Sequence, residues 1–86
     1  MAESSETRRK RIRIRAWRRG TKEMDLILGG YADARLAAMD GPALDLFEAL
    51  LAEDDHALYQ WVTGQATPPA DFADLVAELA RTQPAR

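Results

Sequence analysis

Apolar positions recur along most of the chain at spacings of three and four residues, the period of a helix with one buried face. Met24, Ile27, Leu28 and Tyr31 form the clearest stripe, and Arg35 and Ala38 extend its register towards Asp40-Gly41, where turn chemistry begins. Pro42 stands where the first residue of a new helix is expected, since a missing N–H costs nothing there. Leu44, Phe47, Leu50 and Leu51 make the next face. Asp54 and Asp55 suit the cap and first turn of a short helix that carries Leu58, Trp61 and Val62 and stops at Gly64. Thr67-Pro68-Pro69 opens a last helix with Phe72, Leu75, Val76 and Leu79 on one face, and Pro84 ends it. Gly29-Gly30 interrupts an otherwise good helix, costing roughly 1 kcal/mol per glycine relative to alanine. A close approach of another helix at that point would account for it.

Residues 9–18 are harder to read. Lys10 to Trp17 alternates polar and apolar, which taken alone suggests a strand. No second strand-like run exists for it to pair with, and arginine is a good helix former. The pattern leaves both open; the context favours a helix, with Ile14 and Trp17 sharing a face. The resulting organisation is a disordered polar tail at residues 1–7, one helical domain at 8–83 and a short tail at 84–86.

At 86 residues and 47% hydrophobic content the chain has room for one domain with a thin core, so each large apolar side chain counts. Trp17 and Trp61 are expected in that core. There are no cysteines, which excludes a thiol nucleophile and a thiolate metal site and fits a reducing compartment. No apolar run is long enough for a membrane span and no secretory leader is evident, so a mature cytoplasmic protein is expected. The abundance of alanine and arginine suggests a bacterial source. His56 is a lone histidine without companion ligands and reads as a surface residue.

The net charge of −2 conceals a division. Residues 8–22 hold nine cations and no carboxylate; residues 23–86 hold three arginines against twelve acids. One end of the molecule therefore suits an anionic partner.

Within that boundary lies Arg18-Arg19-Gly20-Thr21-Lys22-Glu23-Met24-Asp25. Glycine there permits a sharp reversal at positive φ, Thr21 can cap the following helix, and Glu23 falls in its first turn. Arg19 and Glu23 flank the turn so that both heads can project from one corner, which taken alone is equally a plain helical corner with a solvated ion pair.

The stretch Arg19-Gly20-Thr21-Lys22-Glu23 resembles the Arg-Gly-x-x-Glu signature of the SdhE-type FAD assembly factors. Met24 to Leu28 resembles the acidic-aliphatic run that follows in that family. Phe47 to Asp55 and Leu58 to Gly64 resemble its second signature, and the helix after Pro68-Pro69 falls where the family's last helix lies. The resemblance runs from about Arg11 to Leu79. It implies an all-α fold, a small five-helix bundle. It further implies a factor that binds the flavoprotein subunit of succinate dehydrogenase, as family members often also bind that of fumarate reductase, and promotes covalent attachment of FAD to a histidine of that subunit. Carried over, Arg19, Gly20 and Glu23 contact the partner, with Arg18, Trp17, Met24, Asp25 and Tyr59 as neighbouring contact residues. The FAD is the partner's; no cofactor or metal of the chain's own is implied.

A rival reading from the residues is a nucleic-acid-binding module whose eight cations in residues 8–19 track phosphates. The acidic remainder weighs against it. A toxin–antitoxin regulator or adaptor is supported only by size. An enzyme is least favoured, for want of a nucleophile–base set, metal cluster or phosphate loop.

Overall fold

The computed structural model describes residues 3–82. Residues 1–2 of the expected N-terminal tail, the tail at 84–86 and the stop at Pro84 lie outside the described residues. Among the described residues five α-helices carry the fold: α1 (Ser5–Trp17), α2 (Lys22–Arg35), α3 (Gly41–Leu51), α4 (Asp55–Val62) and α5 (Ala73–Arg81). Short 3-10 turns at Leu36–Ala38 and Ala70–Phe72 precede α3 and α5. No strand occurs among the described residues, and the alternating segment is helical.

The first helix departs from expectation at both ends. It begins at Ser5, so residues 5–7, assigned to a disordered tail, are helical. The Ser4 hydroxyl accepts from the Thr7 N–H at 3.1 Å and Glu6 lies in the first turn, a complete N-terminal cap that the pattern of apolar residues does not reveal. Its buried face is Ile12 and Ala16, four residues apart, instead of Ile14 and Trp17. Ile14 is 52% exposed, half a turn round from Ile12. Trp17 and Trp61, both expected in the core, are half-buried.

Every helix contributes to one core. Its largest fully buried side chains are Ile12, Leu28, Phe47, Leu50, Leu58 and Leu79, each worth roughly 1.5–3 kcal/mol of burial. Tyr31 packs on Phe47 with ring centroids 5.5 Å apart, and its hydroxyl donates to the Glu78 carboxylate, tying α2 to α5. Burial first, then that carboxylate, hold the Tyr31 phenol well above its ordinary pKa. The stripe of α2 continues through Ala32, Leu36 and Met39, while Arg35 and Ala38 are exposed. The chain passes into a 3-10 turn after Arg35, so the buried positions Leu36 and Met39 fall three apart. Arg9 closes this end by donating to the Leu36 and Met39 carbonyls at 3.2 and 2.6 Å. Asp40 and Asp54 cap α3 and α4 through the Ala43 and Ala57 N–H groups. Gly64, at φ 81°, ends α4's final turn, and Trp61 meets Phe72 across the loop to α5 at 6.2 Å.

The arginines of α1 are largely spoken for within the chain. Arg8 and Arg11 reach Glu48 on α3 at 3.0 and 2.5 Å, and Arg15 lies 3.6 Å from it. Arg8 also meets Asp45, Arg11 meets Glu3, and Arg13 meets Asp33. Hydrogen bonds from Arg11 and then Arg8 hold the Glu48 carboxyl below its ordinary value against the opposing effect of burial; Arg11 does the same to Glu3. A lowered folded pKa means stability that is complete above the unfolded value, near 4.5, and is lost as pH falls through the folded one. The melting temperature is therefore expected to hold from neutrality down to about pH 5 and to drop below it. Glu48→Gln should cost roughly 1 kcal/mol at pH 7 and flatten that acid drop, as thermal melts across the pH range would register. An acid drop of equal steepness in both proteins would remove Glu48 as its source.

Candidate functional site

The corner between α1 and α2 is set by backbone chemistry. Gly20 adopts φ 101°, a left-handed conformation that side chains strain, although a β-carbon there would meet nothing within 4 Å. Thr21 then caps α2, its hydroxyl accepting from the Met24 N–H at 3.3 Å. The Asp25 carboxylate folds back to accept from the Arg19 N–H at 2.6 Å, locking the reversal from the other side.

Arg19 does not project. Its side chain is only 11% exposed and lies across the turn between α3 and α4. Its Nε donates to Asp55 at 2.8 Å, and its terminal nitrogens donate to the Leu51 and Glu53 carbonyls at 2.5 and 3.0 Å. One planar fork thus satisfies the Leu51 carbonyl at the end of α3 and the Glu53 carbonyl of the following turn, and pairs with a carboxylate in the first turn of α4. The expectation that both heads of the Arg–Glu pair project from the corner is corrected: the fork has three acceptors of its own chain within reach. Glu23, by contrast, is exposed, and its side chain makes no hydrogen bond or ion pair with any described residue.

Trp17 links this corner to a neighbouring groove. Its indole lies flat on Gly29 of α2, where a β-carbon would sit 2.2 Å from the ring, and its Nε1 donates to Asp33 at 3.3 Å. That is the close approach anticipated at Gly29-Gly30; at Gly30 a β-carbon would meet nothing. The indole also lines a groove of about 770 Å³ between α2, α4 and α5, together with Glu23, Leu26, Ile27, Tyr59 and Val62.

Of the eight residues singled out, Trp17, Glu23 and Tyr59 therefore come together in one groove, with Gly20 and exposed Arg18 at the adjoining turn. Met24 is only 2% exposed and belongs to the core, because the stripe that made α2 legible buries it. Arg19 and Asp25 work within the fold. Leu26 and Ile27 were not anticipated as site residues. Leu26 carried a signal, being a large apolar side chain that falls off its helix's buried stripe.

Residues 10–83 match the model of the family described as Flavinator of succinate dehydrogenase. The chain belongs to this family. Among curated relatives, 61 residues are 41% identical to the Candida glabrata protein named Succinate dehydrogenase assembly factor 2, mitochondrial, covering 71% of this chain and 40% of that one. The Acetobacter pasteurianus protein named FAD assembly factor SdhE is 35% identical over 66 residues, 77% of this chain and 61% of its own. The match thus spans less than two thirds of the length of either relative. Within this flavinator-family chain the Arg-Gly-x-x-Glu residues divide into a clamp, a tight turn and one free carboxylate. No helix among the described residues is long and apolar enough to cross a membrane.

Proposed function

We propose that this chain is a non-catalytic assembly factor that binds the flavoprotein subunit of succinate dehydrogenase, and the related subunit of fumarate reductase, and promotes covalent attachment of FAD to a histidine of that subunit. The observation that carries the reading is Glu23. It is the charged member of the family signature that the fold leaves free, while Gly20, Thr21, Asp25 and Arg19 all serve to fix the corner from which it projects.

Joining a histidine nitrogen to the flavin's 8α-methyl carbon would remove a proton from that methyl and leave the ring two electrons reduced, to be reoxidised by an electron acceptor, so the two must be aligned and the ring electrophilic. The flavin and the histidine both belong to the partner. This chain's own residues hold the partner in the aligned conformation, so the assistance is one of proximity and population shift. Glu23 pairs with a basic group or orders a loop of the partner, and the rigid corner keeps that carboxylate from the entropy of a flexible loop.

The arginine-rich helix is poorly suited to the rival reading. Arg8, Arg11, Arg13 and Arg15 each face a carboxylate of their own chain, and Arg9 is committed to backbone carbonyls, so few cations are available to phosphates.

The test is flavin fluorescence of the flavoprotein band on a denaturing gel, in cells lacking the gene and complemented with wild type, Gly20→Arg or Glu23→Gln. Wild type should restore the covalent signal and both variants should reduce it, Glu23→Gln by about tenfold with an unchanged melting temperature. An undiminished signal in cells lacking the gene would overturn the proposal.

A further inference from the structure

Ile14 and Leu26 are the large apolar side chains that the fold leaves exposed among the described residues, at 52% and 54%. They lie on different helices, yet one indole joins them. Trp17 lines both the groove that holds Leu26 and a shallower depression on α1 that holds Ile14. Ile14, Trp17 and Leu26 therefore form one continuous apolar face, with Glu23 on the side of the groove.

The charge at the Ile14 end of that face is positive. The depression on α1 is rimmed by Lys10, Arg13 and Arg18. Arg13 is paired with Asp33 at 2.7 Å. The Arg18 side chain makes no ion pair with any described residue, and Lys10 lies 3.9 Å from Glu6 with both side chains at least three-quarters exposed. The cations elsewhere on α1 face carboxylates or carbonyls. Lys10 and Arg18, the cations of residues 8–19 least engaged within the chain, thus stand beside the exposed isoleucine.

Resting on the proposed function, we infer that docking extends beyond the Gly20–Glu23 corner. An acidic, amphipathic segment of the flavoprotein lies along the Ile14–Trp17–Leu26 face, with its apolar side chains on that face and its carboxylates against Lys10 and Arg18. Charge complementarity selects an acidic segment, and the apolar character of the face selects a protein over a phosphate backbone. Glu23 at the other side receives a basic group, so the two ends of the face differ in sign and fix the segment's direction.

Binding of the purified flavoprotein subunit to the full chain, measured by calorimetry, tests this. Ile14→Asp and Leu26→Asp should each weaken binding by about tenfold or more, and the milder Ile14→Ala and Leu26→Ala should weaken it in the same order without altering the melt. Ala49→Asp, an equal charge change on the exposed side of α3, should leave it unchanged. Lys10→Glu with Arg18→Glu should weaken binding and flatten its dependence on salt. If Glu23→Gln weakens binding while the Ile14 and Leu26 variants do not, the extended face is refuted and the assembly reading stands. If wild type does not bind the flavoprotein, both fall. Salt-dependent binding of a duplex oligonucleotide, lost with Lys10→Glu and Arg18→Glu while flavoprotein binding is kept, would assign the strip to nucleic acid and overturn the inference.

Discussion

Arg19→Ala is expected to lower the melting temperature by roughly 10–20 °C, the consequence of losing about 2–3 kcal/mol in a domain of this size. The guanidinium is nearly buried and serves three acceptors: the Asp55 carboxylate and the Leu51 and Glu53 carbonyls. Charge-assisted bonds of this kind are stronger than neutral ones, and truncation leaves the acceptors short of partners in a tight turn. Arg19→Lys should recover only part of the loss, because an ammonium is a point donor and cannot reach three acceptors spread over a planar fork. Asp55→Asn, which keeps an acceptor oxygen but removes the charge, should fall between wild type and Arg19→Ala. The melt distinguishes an internal clamp from a direct partner contact. If Arg19 met the flavoprotein directly, Arg19→Ala would leave the melt untouched and weaken binding alone. As a clamp, it should lose flavinylation in proportion to the unfolded fraction at the assay temperature, with recovery on cooling.

This clamp separates what the sequence discloses from what it withholds. The helices are legible because their stabilising pattern is local and periodic: Met24, Leu28 and Tyr31, or Leu44, Phe47 and Leu51, place their apolar groups on one face whatever lies opposite. Caps at Thr21 and Asp54 are legible for the same reason, since donor and acceptor lie three residues apart. The arginines are not. Each is long, mobile and equally at home in water, so its destination is fixed by distant residues: Glu48 for Arg8, Arg11 and Arg15, the Leu36 and Met39 carbonyls for Arg9, the α3–α4 turn for Arg19. A run that looks like an exposed cationic surface is for the most part an internal fastening of α1 to α2 and α3. Ile14 and Ile12 raise a related difficulty. In an alternating segment every second position is apolar, and only the packing of α1 against its neighbours decides that Ile12 and Ala16 go inside. The candidate site inherits this division. Gly20 and Glu23 could be placed from the turn chemistry of α2, but the groove beside them is made by α4 and α5, whose approach no local pattern encodes.

Gly29 and Gly30, adjacent in sequence and both helical, should respond to alanine with opposite signs. At Gly30 nothing lies within 4 Å of an added β-carbon, so alanine brings only its better helix propensity and a less flexible unfolded chain, for a gain of about 0.5–1 kcal/mol. At Gly29 the same methyl would stand 2.2–2.6 Å from three atoms at the centre of the Trp17 indole. Neither the backbone of α2 nor the ring can absorb such an overlap, so the indole must leave its seat. It would then give up its packing on α2 and its bond to Asp33, and uncover the apolar face it joins to the groove. Overpacking of this sort costs about 1–3 kcal/mol, and with the lost indole contacts it outweighs the propensity gain, for a net loss of about 2 kcal/mol. Thermal melts of the two variants give the signs directly, and tryptophan emission should shift to the red in Gly29→Ala only. The decisive measurement is the double-mutant cycle. In a Trp17→Ala background the obstacle is gone, so Gly29→Ala should become stabilising, like its neighbour. If it stayed destabilising there, the cost would lie in the helix backbone and the indole's seat on Gly29 would not explain why glycine stands at this position.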